Sequence, residues 1–239
     1  MRGQKLSAKA TSLNTHEFLT TLQPSLVEGK LEEALDFVRK RWTAPQIVEL
    51  LRNRSPDVRK VAALALALVG DRSAVEPLAV ALHDRDAMVW QMAEYAMWTL
   101  WFRLGKQRAI HLVKCGNSHM HHNNYDCAIE KFSQAIDEDP DFAEAYHQRA
   151  ISYYLIEQFT QSITDCKAAL ARMPQHFGAM AAMGHCRAHL GQWPKVRRCY
   201  RLALAIHPGL DGLDLSLRQI DQLLRRSRKP EEIRNSNDE

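Results

Sequence analysis

The sequence predicts an all-α fold of stacked helix hairpins, and three observations predict it. Pro140, Pro174 and Pro208 recur at a spacing of 34 residues in the second half of the chain. Residues 47–100 carry a different period, of 31 residues. Only 10 Gly and 9 Pro occur in 239 residues, and the Pro mostly punctuate helix-like segments, which favours helices joined by short turns over a β-rich fold. Periods of this length mark arrays in which each hairpin buries its faces against its neighbours.

Aligning on the three prolines superposes Gly116, Ala150 and Gly184, then Tyr125, Phe159 and Trp193. Ala135, Ala169 and Ala203 also coincide, with Phe132, Cys166 and Tyr200 three residues before each. Small residues let paired helices approach closely, the larger ones fill the space between, and each Pro follows the end of a second helix. The spacing predicts helix pairs at 109–122/125–138, 143–156/159–172 and 177–190/193–206. This pattern resembles the tetratricopeptide repeat (TPR) over residues 109–208, in three units, 109–142, 143–176 and 177–210, within a region spanning 106–210. It departs at His119 and Leu112, where Tyr and Trp are common, and at Ser162, where Ala is usual. Residues 211–228, with Leu213, Leu215, Leu217, Ile220, Leu223 and Leu224, are expected to form an amphipathic capping helix, and polar 229–239 is expected to be disordered.

In the 31-residue period Leu51 matches Leu82, Val58 matches Val89, Ala62 matches Ala93 and Ala65 matches Ala96. Ser55-Pro56 reads as a helix start, and Thr43–Gln46 and Ser73–Glu76 as capping boxes. Residues 47–100 resemble short HEAT repeats of the phycobilisome-lyase type, inside a helical region covering 15–105. A further helix is expected at 26–41, and residues 1–14 are expected to be disordered. Together the resemblances imply a right-handed α-solenoid in which HEAT-like repeats continue into the TPR units. Val89, Ala93, Ala96 and Leu100 form the expected core face of the last HEAT helix. Met97 and Trp101, with Trp98 and Trp90 near the edge, form a second face too apolar to leave uncovered, and the first TPR helix is its expected cover.

The net charge of +4 is mild and mixed in sign, which argues against a nucleic-acid surface. The cluster Arg225-Arg226-Ser227-Arg228-Lys229 is accounted for by a solvated helix end. No apolar run reaches the ~18 residues of a membrane span, the first residues lack a signal-peptide core, and five Cys without CxxC pairs suggest reduced thiols. A soluble, cytoplasmic protein is expected.

Catalytic signatures are missing: the sequence contains no phosphate loop, dinucleotide fingerprint, nucleophile elbow or metalloprotease helix. Cys115 with His111, His119, His121 and His122 has the spacing of metal ligands, but Cys115 and His119 fall at TPR packing positions. No catalytic residue, metal or cofactor is therefore assigned.

In the TPR family the first helices of successive pairs line a concave groove that takes an extended peptide or a helix. The resemblance places Val113, Asn117, Met120 and His121 there from the first unit, and Glu144, His147, Ile151, Tyr154 and Leu155 from the second. Ala181, His185 and His189 complete the set. The subclass that clamps a C-terminal carboxylate does so with Lys or Arg and Asn residues. Only Asn117 matches, the other corresponding sites hold Val113, Gln148, Gly178 and Ala182, and without cations that chemistry is excluded. His121, His147, His185 and His189 would give the groove positive charge between about pH 7 and 5.5. The expected role is a non-catalytic adaptor or scaffold for a protein or peptide partner. The alternatives are an assembly or lyase-like accessory factor acting through the HEAT half, and weak nucleic-acid binding by its surface.

Overall fold

The structure, a computed structural model, describes residues 13–27 and 30–235. Among them the elements are thirteen α-helices and one 3-10 turn. The first six are α1 (Thr15–Val27), α2 (Leu31–Arg41), α3 (Ala44–Leu50), α4 (Pro56–Val69), α5 (Val75–Ala81) and α6 (Ala87–Trp101). The rest are α7 (Gln107–His121), α8 (Tyr125–Glu138), α9 (Ala143–Leu155), α10 (Phe159–Arg172), α11 (Phe177–His189), α12 (Trp193–Ile206) and α13 (Leu213–Asn235). The chain divides into two units between Met97 and Trp98, so the last turn of α6 belongs with the second.

The first unit is organised around α4, which packs against α1, α2 and α3. The run from Val61 to Ala67 sits almost wholly inside, because its small Ala side chains let neighbouring helices close on it. Thr43 and Gln46 form the expected capping box at the start of α3. Ser55 stands at the N-cap of α4 with Pro56 at the first helical position, but its side chain caps nothing. The expected box at Ser73 and Glu76 does not form. Asp71 accepts the Ser73 N–H instead and starts a 3-10 turn at Arg72–Ala74. Arg59 is held by Asp84 through two parallel bonds of 2.7 and 2.8 Å. Of the segment expected to be disordered, residues 1–12 lie outside the described residues, and α1 begins at Thr15. The helix expected at 26–41 starts only at Leu31.

The second unit consists of the hairpins α7/α8, α9/α10 and α11/α12, with α13 against α12. Their bounds follow the 34-residue register, because the small residues that define it are where the helices touch. A Cβ at Gly116 would lie 2.4 Å from the Phe132 ring, and one at Gly184 would lie 2.3 Å from Tyr200. Ala135, Ala169 and Ala203 are each fully buried opposite these contacts. Each hairpin turn carries one residue at positive φ, and the three are also 34 residues apart: Asn123 (58°), Glu157 (61°) and Gly191 (67°).

Arg149 crosses from α9 to α10, bonding Asp165 at 2.7 and 2.9 Å while donating to Ser133 Oγ of α8 at 2.9 Å. It therefore ties the first two hairpins together. Leu213 and Ile220 of α13 are buried in one cluster with Tyr200 and Ala203, closing the end of the last hairpin. The helix continues to Asn235, past the boundary expected at 228, so the segment from 229 to 235 is helical. Residues 236–239 lie outside the described residues.

Candidate functional site

The first helices of the second and third hairpins, α9 and α11, present their inner faces to the last turn of α6. Trp101 is buried with its ring parallel to His176, at a centroid separation of 4.0 Å and an interplanar angle of 15°. Trp98 meets Trp101 edge-on at 5.0 Å and Phe177 edge-on at 5.2 Å, and stacks on His147 at 6.0 Å. Room for Trp98 exists because residue 178 is glycine: a Cβ there would fall 2.5 Å from the indole. The sequence assigned the cover of this tryptophan face to the first TPR helix, α7. The ring partners come instead from α9 and the start of α11.

Behind the tryptophans lies a buried polar network centred on Glu144. His176 is the N-cap of α11, where its Nδ1 accepts the Ala179 N–H at 3.1 Å. That bond leaves the proton on Nε2, which donates to Glu144 Oε2 at 2.9 Å. The other carboxylate oxygen receives Gln148 Nε2 at 2.6 Å and faces His147 Nδ1 at 3.3 Å. Burial opposes the charge on Glu144, but the two imidazoles outweigh it and bring its pKa down to about 2. Burial, aided by the neighbouring His147, pushes His176 down to about 4, so its ring is neutral at pH 7.

Among the described residues Glu144, His147 and His176 are the group close enough to share a metal ion, with ligand atoms within 4.8 Å of one another. Both nitrogens of His176 are committed, one to the helix cap and one to the carboxylate, and both oxygens of Glu144 face donors. The arrangement acts as a strut between α9 and α11. Cys115 Sγ lies 3.6 Å from His111 Nε2, and burial pushes the thiols of Cys166, Cys186 and Cys199 up, away from nucleophilic thiolate.

The residues expected along the groove therefore separate. Val113, Glu144 and His147 are buried and form no part of an open surface, since Val113 packs in the core between α7 and α8 and the other two lie in the network. With His147 enclosed, the set of four solvent-facing imidazoles expected from the sequence falls to His121, His185 and His189. Ile151 is half-buried, Leu155 is exposed, and Ala181 packs against the core of the third hairpin. Tyr154 O–H and His189 Nε2 are 3.0 Å apart, and His189 stacks on Phe159. His185 Nδ1 pairs with Tyr200 O–H at 2.8 Å.

Asn117, Met120 and His121 do come together, with Gln148, around an open cleft of about 310 Å³. The amide oxygen of Asn117 is buried there without a hydrogen-bond partner. Sequence reasoning missed His176 and gave Gln148 no role in the groove. The signal for His176 was present: it aligns with Phe142 and Leu210, so a polar residue stands in an apolar column.

A family model for HEAT repeats matches residues 30–114, and one for the TPR repeat matches residues 116–156. The chain carries HEAT repeats followed by TPR repeats. RNA polymerase II-associated protein 3 of Rattus norvegicus is 30% identical over 122 residues, 51% of this chain and 18% of that protein. Tetratricopeptide repeat protein 12 of Homo sapiens is 30% identical over 108 residues, 45% of this chain and 15% of that protein. Both relatives are thus several times longer than the part this chain spans. Among solved structures, the first TPR of Spaghetti (RPAP3) bound to an HSP90 peptide is 27% identical, with a TM-score of 0.49, covering 50% of this chain and 94% of that one. No described helix is long and apolar enough to cross a membrane.

Proposed function

We propose that this HEAT–TPR chain is a non-catalytic protein-interaction adaptor that holds an extended peptide or a helix in the cleft around Asn117, Met120, His121 and Gln148. The observation that carries the reading is the unpartnered, buried amide oxygen of Asn117 in that cleft. An acceptor in that state gains from a peptide N–H supplied by a ligand, since leaving it unmade costs about 1–3 kcal/mol. Met120 supplies adaptable apolar contact beside it. Trp98 and Trp101 occupy the inner face beside His147, His176 and Phe177, so that part of it is closed to a partner.

The partner is an internal segment and not a free C-terminus. The positions that would supply cations to a terminal carboxylate hold buried Val113, Gly178 against Trp98, and Ala182. Without a cation nothing offsets the desolvation of that carboxylate. On the HEAT unit Arg59 and Lys60 are engaged by Asp84 and Asp57, which withdraws these two cations from a nucleic-acid surface there.

Affinity purification of the wild type beside Asn117→Ala/His121→Ala tests this. Partners retained by the wild type and lost from the variant support the cleft. An unchanged set of partners, with the variant folded, rejects it.

A further inference from the structure

A second surface of the TPR unit is built from different residues and carries the opposite balance of chemistry. Between Asp165 and Asp211 the sequence contains seven Lys or Arg and no Asp or Glu. Three of those cations are engaged: Arg197 and Arg201 meet Asp221 at 3.5 and 3.2 Å, and Arg172 donates to the Pro140 carbonyl. The other four, Lys167, Arg187, Lys195 and Arg198, surround one cleft of about 400 Å³ between α10, α11 and α12. None of the four forms an ion pair among the described residues, and Arg187 Nε is buried without a hydrogen-bond partner. The floor of the cleft is apolar, made by Met180, Met183, Cys199 and Leu202.

We infer that this cleft docks an acidic peptide segment carrying an apolar anchor residue. Four uncompensated cations of one sign repel each other, and the cheapest relief is a ligand that brings carboxylates. The apolar floor asks for something more than charge. A cleft of this volume takes one or two aliphatic or aromatic side chains, and flexible Met residues shape themselves around the anchor. Bidentate guanidinium–carboxylate pairing from Arg187 and Arg198 then fixes the flanking acids. Nucleic acid fits less well, because single strands bind on exposed aromatic platforms and the lining contains none. The peptide proposed here uses no residue of the Asn117 cleft, so the two surfaces stand or fall separately.

The test is selection of a random displayed peptide library on the full-length chain and, in parallel, on Lys195→Glu/Arg198→Glu. Both side chains are exposed, so the variant should melt like the wild type by circular dichroism. Peptides enriched by the wild type and lost by the variant should place acids beside a Leu, Ile, Phe or Met. By fluorescence anisotropy such a peptide should bind the charge-reversed variant about tenfold more weakly, and bind Asn117→Ala/His121→Ala as it binds the wild type. The inference is overturned if no acid-plus-apolar pattern emerges, or if charge reversal changes affinity less than about twofold. It is also overturned if a single-stranded oligonucleotide or phosphatidylserine vesicles bind the cleft more tightly than the peptides do.

Discussion

The ring of Trp101 lies flat on that of His176, their centroids 4.0 Å apart and their planes 15° from parallel. This stack joins the end of α6 to the helix cap of α11, so a side chain from outside the three hairpins helps to fill their inner face. Trp101→Ala should cost about 3–5 kcal/mol, as large-to-small changes at fully buried aromatics do. Urea unfolding followed by circular dichroism measures it, and a loss below about 1 kcal/mol would mean that the indole is not packed as described.

Much of this fold was legible because a repeat shows itself several times. Gly116 and Gly184 mark where Phe132 and Tyr200 press on the paired helix, so the 34-residue register located six helices nearly to the residue. The inner face was not legible in the same way. Trp98, Trp101, Gly178 and His176 meet through tertiary contacts between separate elements, and no period connects them. A buried Glu144 looks like any exposed carboxylate at a helix start until its donors are placed around it. In the first unit, Asp71 pre-empted Ser73 as the cap, a local competition between two good capping residues that spacing alone does not decide.

The Glu144–His176 pair makes stability depend on pH in one direction. Both pKa values are lower in the fold than in the unfolded chain, so the unfolded state binds more protons on acidification and stability falls as pH falls. His176 contributes fully above its ordinary value near 6.5 and loses that contribution as pH drops towards about 4. Glu144 loses its own between its ordinary 4.5 and about 2. His176→Asn keeps a helix-capping acceptor and removes the titration. Urea midpoints of the variant should be lower at pH 7 and flatter between pH 6.5 and 4. An equal slope in both proteins would exclude His176 as the source.

Asp165 has a side chain 7% exposed and is, among the described residues, the only carboxylate paired with Arg149, which is itself largely enclosed. Asp165→Ala strands a guanidinium beside Ser133 and should destabilise the TPR unit by about 3 kcal/mol. Adding Arg149→Met should recover a large part of that loss, because the uncompensated charge leaves with it. A double-mutant cycle in which the second substitution only adds to the first would contradict the strut between the first two hairpins.

Glu157 holds φ at 61° in a turn where the equivalent residue of the next hairpin is Gly191 at 67°. A side chain in this left-handed region costs about 1 kcal/mol, which glycine avoids at some cost in unfolded-state entropy. Glu157→Gly should therefore raise the denaturation midpoint slightly, by the equivalent of about 0.5 kcal/mol, whereas Glu157→Val should lower it.

The adaptor reading is tested most directly by placing a photo-crosslinking amino acid at Met120, inside the Asn117 cleft, and at exposed Leu155 at the far end of α9. Irradiation in cells and mass spectrometry of the adducts should yield a protein partner joined at 120 and absent when Asn117→Ala is added. Adducts formed only from 155, or adducts at 120 that survive Asn117→Ala unchanged, would contradict the cleft as the binding site.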